Sequence, residues 1–489
     1  MQFTHHISRL VVFLTLVFLA IAPGAPALAE GQSFFSSIIS PEQEARMGRE
    51  QHPIILKQFG GAYEDPALNR YVTSIGELLL RTTETPNAAF TFTILNSPVV
   101  NAFALPGGYV YVTRGLVALA DNEAQLAGVL AHEIGHVTAR HSAQRYGQSM
   151  AATIGLTFLG LLAESKELNQ VAGLGANLFL KSYSRDHEFE ADKLGLIYMS
   201  RAGFSPDGMT DFLGNLKAHD ELQKKLIGQG GFDPLMGLLS THPRTVDRVE
   251  RAYAAAHVSP PPDPIIARDV YLQQIDGLLY GDDPAQGYVR GQSFIHPLLK
   301  IRFEVPEGFI LTNAEEAVIA RNKSGARIIF NAAQRPQGQN IDAYLTRTWF
   351  PNQQLGDMET INVNGFPAVT ATARVETDDG IMDLRLIAIA YDAALVYRFM
   401  FVSPPRETSA LNMEFRRTTY SFHTISDVEA AAIKPLRLVI ETVESGDSIE
   451  EFASRMPYET YRLERFKVLN GLSKGGEAYL GNKVKLVVE

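Results

Sequence analysis

Two histidines four residues apart, His132 and His136, lie within residues 123–140, a run whose apolar positions recur at helical spacing, and this stretch constrains the chain more than any other. Residues four apart share one helix face one turn apart, so both imidazoles can address a single metal ion. Asp121 or Asn122 stands before the run as its cap. Glu133 follows the first histidine directly, where a carboxylate can reach a water on the metal without ligating it, the position of a general base. A catalytic zinc takes three protein ligands and keeps a place for water, so a third donor is expected elsewhere in the chain.

Two segments offer one. In residues 184–202, again helically periodic, Glu188 and Asp192 are one turn apart. Glu188 is read as the ligand and Asp192 as the acceptor that orients a histidine from behind. His187 and Glu190 fall at a different helical phase and are read as solvated helix charges. The second segment holds His242, before Pro243, with Arg248 six residues later. A lone histidine in such a place is more often structural than a ligand, and both candidates stay open on chemistry alone.

The surrounding chain sets the context. A formal net charge of -10 argues against a nucleic-acid binder, whose phosphate contacts need clustered Lys and Arg. Residues 1–29 read as a secretory signal peptide, with Arg9, an apolar run and a small-residue site ending at Ala29. There is no cysteine, hence neither disulfide nor lipidated thiol. Residues 41–60 and 66–80 predict helices capped by Ser40 and Asp65. Residues 90–95 and 108–113 predict strands around a Pro106-Gly107-Gly108 turn. Residues 151–163 and 171–180 are apolar but too short to span a membrane, and are expected as a core or lid pair able at most to dip into a membrane surface. A Pro-rich linker and connecting helix occupy 259–292. Alternating runs at 317–321, 328–331, 368–374, 381–390 and 395–402 predict an antiparallel sheet in 293–432, covered by a helix at 341–350 whose Trp349 and Phe350 pack inward.

Four elements in order resemble the zinc metallopeptidase family that includes the CAAX prenyl proteases, HtpX and BepA: residues 101–108, the His132–His136 helix, Glu188 with Asp192, and Thr241-His242-Pro243 with Arg248. The resemblance spans about residues 41–254. It implies a His132, His136, Glu188 zinc site, one Zn2+ per chain, with His242 in the open metal position at rest and Arg248 near the substrate carbonyl. The last fifty residues resemble a LysM module, through residues 441–449, 469–472 and 480–486, which implies a peptidoglycan ligand.

The expected fold class is therefore α+β: a mainly helical gluzincin-type peptidase domain at 30–258, an antiparallel-sheet α+β domain at 293–432, and a LysM-like βααβ module at 433–489. The expected activity is endopeptidase cleavage of unfolded or misassembled envelope proteins in a bacterial periplasm, by a soluble or peripherally membrane-associated protein, with Glu133 as general base and His242 and Arg248 as oxyanion donors. Substrate is expected to add as a strand along Gly108, Tyr109, Val110 and Tyr111, because main-chain pairing demands little of sequence. The second reading is a predominantly latent, chaperone-like or peptidoglycan-binding protein in which His242 blocks the zinc.

Overall fold

The computed structural model describes residues 39–145, 182–227, 237–242, 246–256, 258–314, 317–351, 353–377, 380–473 and 480–489. The expected signal peptide and the apolar segments at 151–163 and 171–180 lie outside these residues. Among the described residues no helix is long and apolar enough to cross a membrane.

Local chemistry starts the first helices where the sequence places them. Helix α1 (Pro41–Gln58) opens on a reciprocal cap: Gln43 N donates to Ser40 Oγ at 3.3 Å and Ser40 N to Gln43 Oε1 at 2.7 Å. Asp65 accepts from two backbone amides to open α2 (Pro66–Leu80), and both helices carry proline in the first turn, where its missing N–H costs nothing. Strands β1 (Thr91–Leu95), β2 (Ala102–Leu105) and β3 (Tyr109–Thr113) form one sheet. Gly107 and Gly108 turn the chain between β2 and β3 at φ of 80° and 86°, left-handed values that favour glycine. A Cβ on Gly108 would stand 2.2 Å from Ala89 O, so the close approach of the backbone excludes any side chain there.

The order of this sheet, β1-β3-β2, overturns one expectation. Strand β3 pairs parallel with β1 on one side and antiparallel with β2 on the other. Its main-chain groups are thus taken on both sides, and Gly108, Tyr109, Val110 and Tyr111 cannot receive an added strand. The edges of this sheet are β1 and β2.

Helices α3 (Arg114–Leu119), α4 (Glu123–Thr138), α5 (Arg185–Arg201) and α6 (Asp207–Ile227) complete the first layer, followed by a turn of helix at Leu238–Thr241, α7 (Val246–Ala256) and α8 (Arg268–Gln274). Helix α4 packs on α5, α6, α2 and β2, and its residues 124–136 are buried throughout. Helix α8 is no loose connector, since Tyr271 and Leu272 are fully buried and Tyr271 Oη donates to Val117 O at 2.6 Å.

Residues 293–432 form the expected antiparallel sheet, larger than the sequence predicts. After β4 (Leu279–Tyr280) come β5 (Tyr288–Arg290), β6 (Ser293–His296), β7 (Ile301–Glu304), β8 (Ile310–Asn313), β9 (Val318–Arg321), β10 (Arg327–Gln334), β11 (Gly356–Val363), β12 (Phe366–Thr377), β13 (Gly380–Ala390) and β14 (Leu395–Ser403). Seven of these run in the order β11-β12-β13-β14-β10-β9-β8. One face buries Phe303, Phe330, Phe399 and Phe401 with Phe415 of α9 (Pro405–Ser421); the other receives Tyr344 and Leu345. The helix predicted at 341–350 is a turn of α-helix continued as a π-helix, Tyr344–Trp349, with Trp349 and Phe350 packed against that second face. A short strand β15 (His423–Thr424) joins β7, β6 and β5 in a second sheet.

The C-terminal residues have βααβ order: β16 (Leu436–Thr442), α10 (Ile449–Ser454), α11 (Arg462–Leu469) and β17 (Lys483–Val488). They do not stand apart. Strand β16 also pairs with β4, and Phe452, Phe466 and Leu486 belong to the same continuous apolar core as Leu126 and Leu130 of α4. At the junction the Lys485 ammonium, fully buried, donates to Ala118 O at 2.9 Å, Leu119 O at 3.2 Å and Ala120 O at 2.9 Å, and lies 2.9 Å from Asp121 Oδ1. A cation at the C-terminal end of α3 meets carbonyls that the helix leaves without partners. Burial lowers the Lys485 pKa and Asp121 opposes that shift. Lys485→Ala should therefore cost about 3–5 kcal/mol, because a buried carboxylate loses its counter-charge. Urea unfolding of the full chain measures this; a loss below about 1 kcal/mol would show that the contact does not hold the two parts together.

Candidate metal centre

The centre rests on how closely α5 lies against α4. A Cβ on Gly135 of α4 would stand 3.0 Å from Ala191 O, and one on Gly195 of α5 would stand 3.1 Å from His132 N. Each helix thus presents a glycine where the other's backbone passes. Asn122 caps α4 by accepting from Gln125 N at 2.9 Å, and Ser184 caps α5 by accepting from His187 N at 3.2 Å. With both helices anchored, Glu188 in the first turn of α5 faces the two histidines of α4, and Asp192, one turn on, lies behind them.

Four ligand atoms, one each from His132, His136, Glu188 and His242, lie within 4.8 Å of one another, and all four residues are buried. His132 Nε2 and His136 Nε2 are 3.0 Å apart. Glu188 Oε2 is 3.7 Å from His132 Nε2, and Oε1 is 3.4 Å from His136 Nε2. His242 enters from the far end of the Leu238–Thr241 turn, its Nδ1 2.8 Å from Glu188 Oε1 and 3.3 Å from His132 Nε2. Its other nitrogen, Nε2, is 3.5 Å from Glu133 Oε1, so the ring stands between the donor group and the expected base. Asp192 Oδ1 is 2.8 Å from His132 Nδ1. The structure thus brings His132, His136, Glu188, His242, Glu133 and Asp192 together. Arg248 lies on α7, and its side chain is outside the described residues.

These donors suit a cation. Partners at Nδ1 hold the proton of each α4 imidazole on that side, His132 against Asp192 and His136 against His141, which leaves both Nε2 lone pairs pointing at one another and at a carboxylate. Such a convergence is repulsive until a positive ion sits within it. Burial drives the His136 imidazole well below its usual pKa, towards the neutral, ligating form, and Glu188 opposes this only in part. Burial would raise the Glu188 carboxyl, but the facing His242 and His136 hold it well below the ordinary range. A neutral imidazole pair with an ionised carboxylate is the donor set a divalent metal prefers.

Several partners escape the sequence reading. His141, just past the end of α4, meets His136 Nδ1 through its own Nδ1 at 2.9 Å. Its Nε2 is 3.2 Å from Glu190 Oε2, and its ring stacks on His187 at 4.3 Å and 16°. The reading of His187 and Glu190 as solvated helix charges is thereby corrected: His187 is buried, its pKa pushed by burial down to about 4, and Glu190 is half-exposed but pairs with His141. Helical phase placed them off the ligand face correctly; it carried no information on a third chain segment covering that side. Tyr183 stacks on His136 at 4.0 Å and 20°, its hydroxyl 2.7 Å from Ser142 Oγ.

A side chain at the helix contact should disturb the centre without touching it. Gly135→Val places branched carbons against the backbone of Ala191 and is expected to lower zinc affinity by about tenfold or more, about 1.4 kcal/mol. Competition against a chelator measures this; an unchanged affinity would show that the spacing of α4 and α5 does not set the site.

The model of the family described as Peptidase family M48 matches residues 66–256. The beta-barrel assembly-enhancing protease of Escherichia coli is 31% identical over 264 residues, covering 52% of this chain and 52% of that protein. Its Yersinia pestis namesake is 32% identical over 263 residues, covering 50% of each. The mitochondrial metalloendopeptidase OMA1 of Schizosaccharomyces pombe is 29% identical over 219 residues, 44% of this chain and 61% of that one. The chain spans about half the length of the first two relatives. Among solved structures, yeast Ran-binding protein Mog1p overlaps 29% of this chain and 99% of its own at 12% identity with a TM-score of 0.23, too slight a likeness to assign a fold. The paired histidines and the facing glutamate all fall inside residues 66–256, the span that matches Peptidase family M48.

Proposed function

We propose that the protein is a zinc-dependent endopeptidase of the cell envelope that hydrolyses unfolded or misassembled proteins, with Glu133 as general base. The observation that carries this reading is the buried convergence of His132, His136 and Glu188 with Glu133 beside it on α4. Two imidazoles with one carboxylate is the donor set of catalytic rather than structural zinc, and His242 stands in the fourth direction. Bound there, the metal would supply Lewis acidity, acidifying water and polarising a carbonyl. Glu133 would take the proton of the attacking water and return it to the leaving amine, while Asp192 keeps the proton of His132 on Nδ1.

His242 supports a resting form in which this chemistry is held back. Its ring lies between the ligand atoms and Glu133, the direction from which a carbonyl must enter. It would have to swing out before substrate binds, after which it and Arg248 can donate to the oxyanion. This favours the latent reading as the ground state of an enzyme, not as its replacement. For the substrate, β2 takes over the role expected of residues 108–113, since β2 is an edge strand packed on α4. Because Ala102–Leu105 are buried, an extended peptide would pair there only after the chain covering this strand moves aside, and such pairing makes few demands on sequence.

The envelope substrates and a periplasmic setting draw on the names of the assembly-enhancing relatives and on the signal-like leader. A peptidoglycan ligand for residues 433–489 has less support, because this segment shares its core with the peptidase and reads better as part of the enzyme's body.

Casein hydrolysis and zinc content of the full chain test the reading. Wild type should contain about one zinc and cleave; Glu133→Gln should keep the zinc and lose activity by about a thousandfold or more, as expected for removal of a general base. His242→Ala should keep zinc and, relieved of the block with Arg248 left as the oxyanion donor, cleave faster than wild type. Equal cleavage by wild type and Glu133→Gln would refute the assignment, and loss of all cleavage in His242→Ala would refute the blocking role.

A further inference from the structure

His132 and His136 are equivalent in the HExxH pattern but not in what stands behind them. A histidine ligand binds well only when its second nitrogen is held by an acceptor, which fixes both the tautomer and the plane of the ring. For His132 that acceptor is a carboxylate, Asp192 Oδ1 at 2.8 Å. Behind His136 no carboxylate among the described residues is in contact. Its Nδ1 meets Nδ1 of His141 at 2.9 Å, and the next carboxylate, Glu190, lies on the far side of that second ring, 3.2 Å from His141 Nε2.

Hydrogen-bond chemistry orders the protons along this line. If His136 is to offer its Nε2 lone pair to the cluster, its proton must sit on Nδ1 and be donated to His141. His141 can accept it only in the tautomer that carries its own proton on Nε2, and Glu190 Oε2 is the acceptor that favours this tautomer. The buried ring of His141 cannot turn freely, because His187 stacks on it at 4.3 Å with an interplanar angle of 16°, and His187 is itself held through Nε2 by Gln144 Oε1 at 3.0 Å. The carboxylate end of the relay is half-exposed, so the line runs from the buried cluster to the surface.

We propose that His141 is the positioning residue of the second histidine, His136, and that Glu190 sets its tautomer, so that the two together do for His136 what Asp192 does alone for His132. The inference rests on the metal-binding reading of the cluster given above. It assigns His141 no contact with substrate or with the metal.

Metal binding by the full-length protein, measured by zinc competition with a chelator and by the visible spectrum of the cobalt(II) form, tests it without recourse to activity. His141→Leu fills most of the space but removes the acceptor. It should weaken zinc binding by about 10- to 100-fold, as losses of outer partners do, and shift the cobalt(II) absorption. His141→Asn places a carbonyl oxygen near the lost Nδ1, can accept from His136, and should restore most of the affinity. Glu190→Ala should fall between Leu and wild type. Thermal unfolding of the metal-free proteins shows whether each variant folds; if His141→Leu does not, Asn against Glu190→Ala decides, with Asn nearer wild type expected. Wild type that binds zinc while His141→Leu binds equally tightly overturns this proposal alone. Equal losses in His141→Leu and His141→Asn overturn it too, since a merely structural ring would be missed in both. Failure of wild type to bind zinc overturns the metal reading and this inference with it.

Discussion

The centre depends on two helices being able to touch backbone to backbone. Gly135 and Gly195 permit α5 to lie against α4 at the level of the histidines, and a Cβ at either position would press on the partner's main chain. That contact converts sequence spacing into chemistry. The i, i+4 histidines of α4 supply two neutral donors, and the i, i+4 carboxylates of α5 supply one ionised donor in front and one acceptor behind. Neither helix could form the set alone, because one face of one helix offers at most two groups at ligand distance.

Bringing these groups together in a dry interior is costly without a counter-charge, so the fold surrounds them with elements that cannot easily move apart. Helix α4 is buried on every side, and the apolar core that contains it continues through α8 and β4 into the C-terminal strands. Lys485 ties strand β17 to the residue before the cap of α4. The C-terminal βααβ segment is thus a wall of the core that holds α4, while the seven-stranded sheet has separate aromatic cores of its own.

Much of this was legible in the sequence. The caps Ser40 and Asp65, a cap at Asp121 or Asn122, of which the structure uses Asn122, the helix bearing the histidines, and Glu188 one turn from Asp192 follow from local rules, and the structure places them so. What local rules missed came from long-range assembly. Strand alternation identified residues 108–113 but could not tell a central strand from an edge, which only the pairing of β1 and β2 decides. Helix α9 went unpredicted, although Pro405 fits a first turn. His187 was read as a surface group and His141 went unread, because nothing near them in sequence announces the contacts behind His136.

The central claim is that two imidazoles from α4 and a carboxylate from α5 hold one metal ion. X-ray absorption at the zinc edge of the zinc-loaded full chain tests it most directly. The account predicts nitrogen and oxygen neighbours at about 2.0–2.2 Å together with the outer scattering of at least two imidazole rings. A spectrum of oxygen neighbours without imidazole scattering, as from ions held by surface carboxylates, would contradict it.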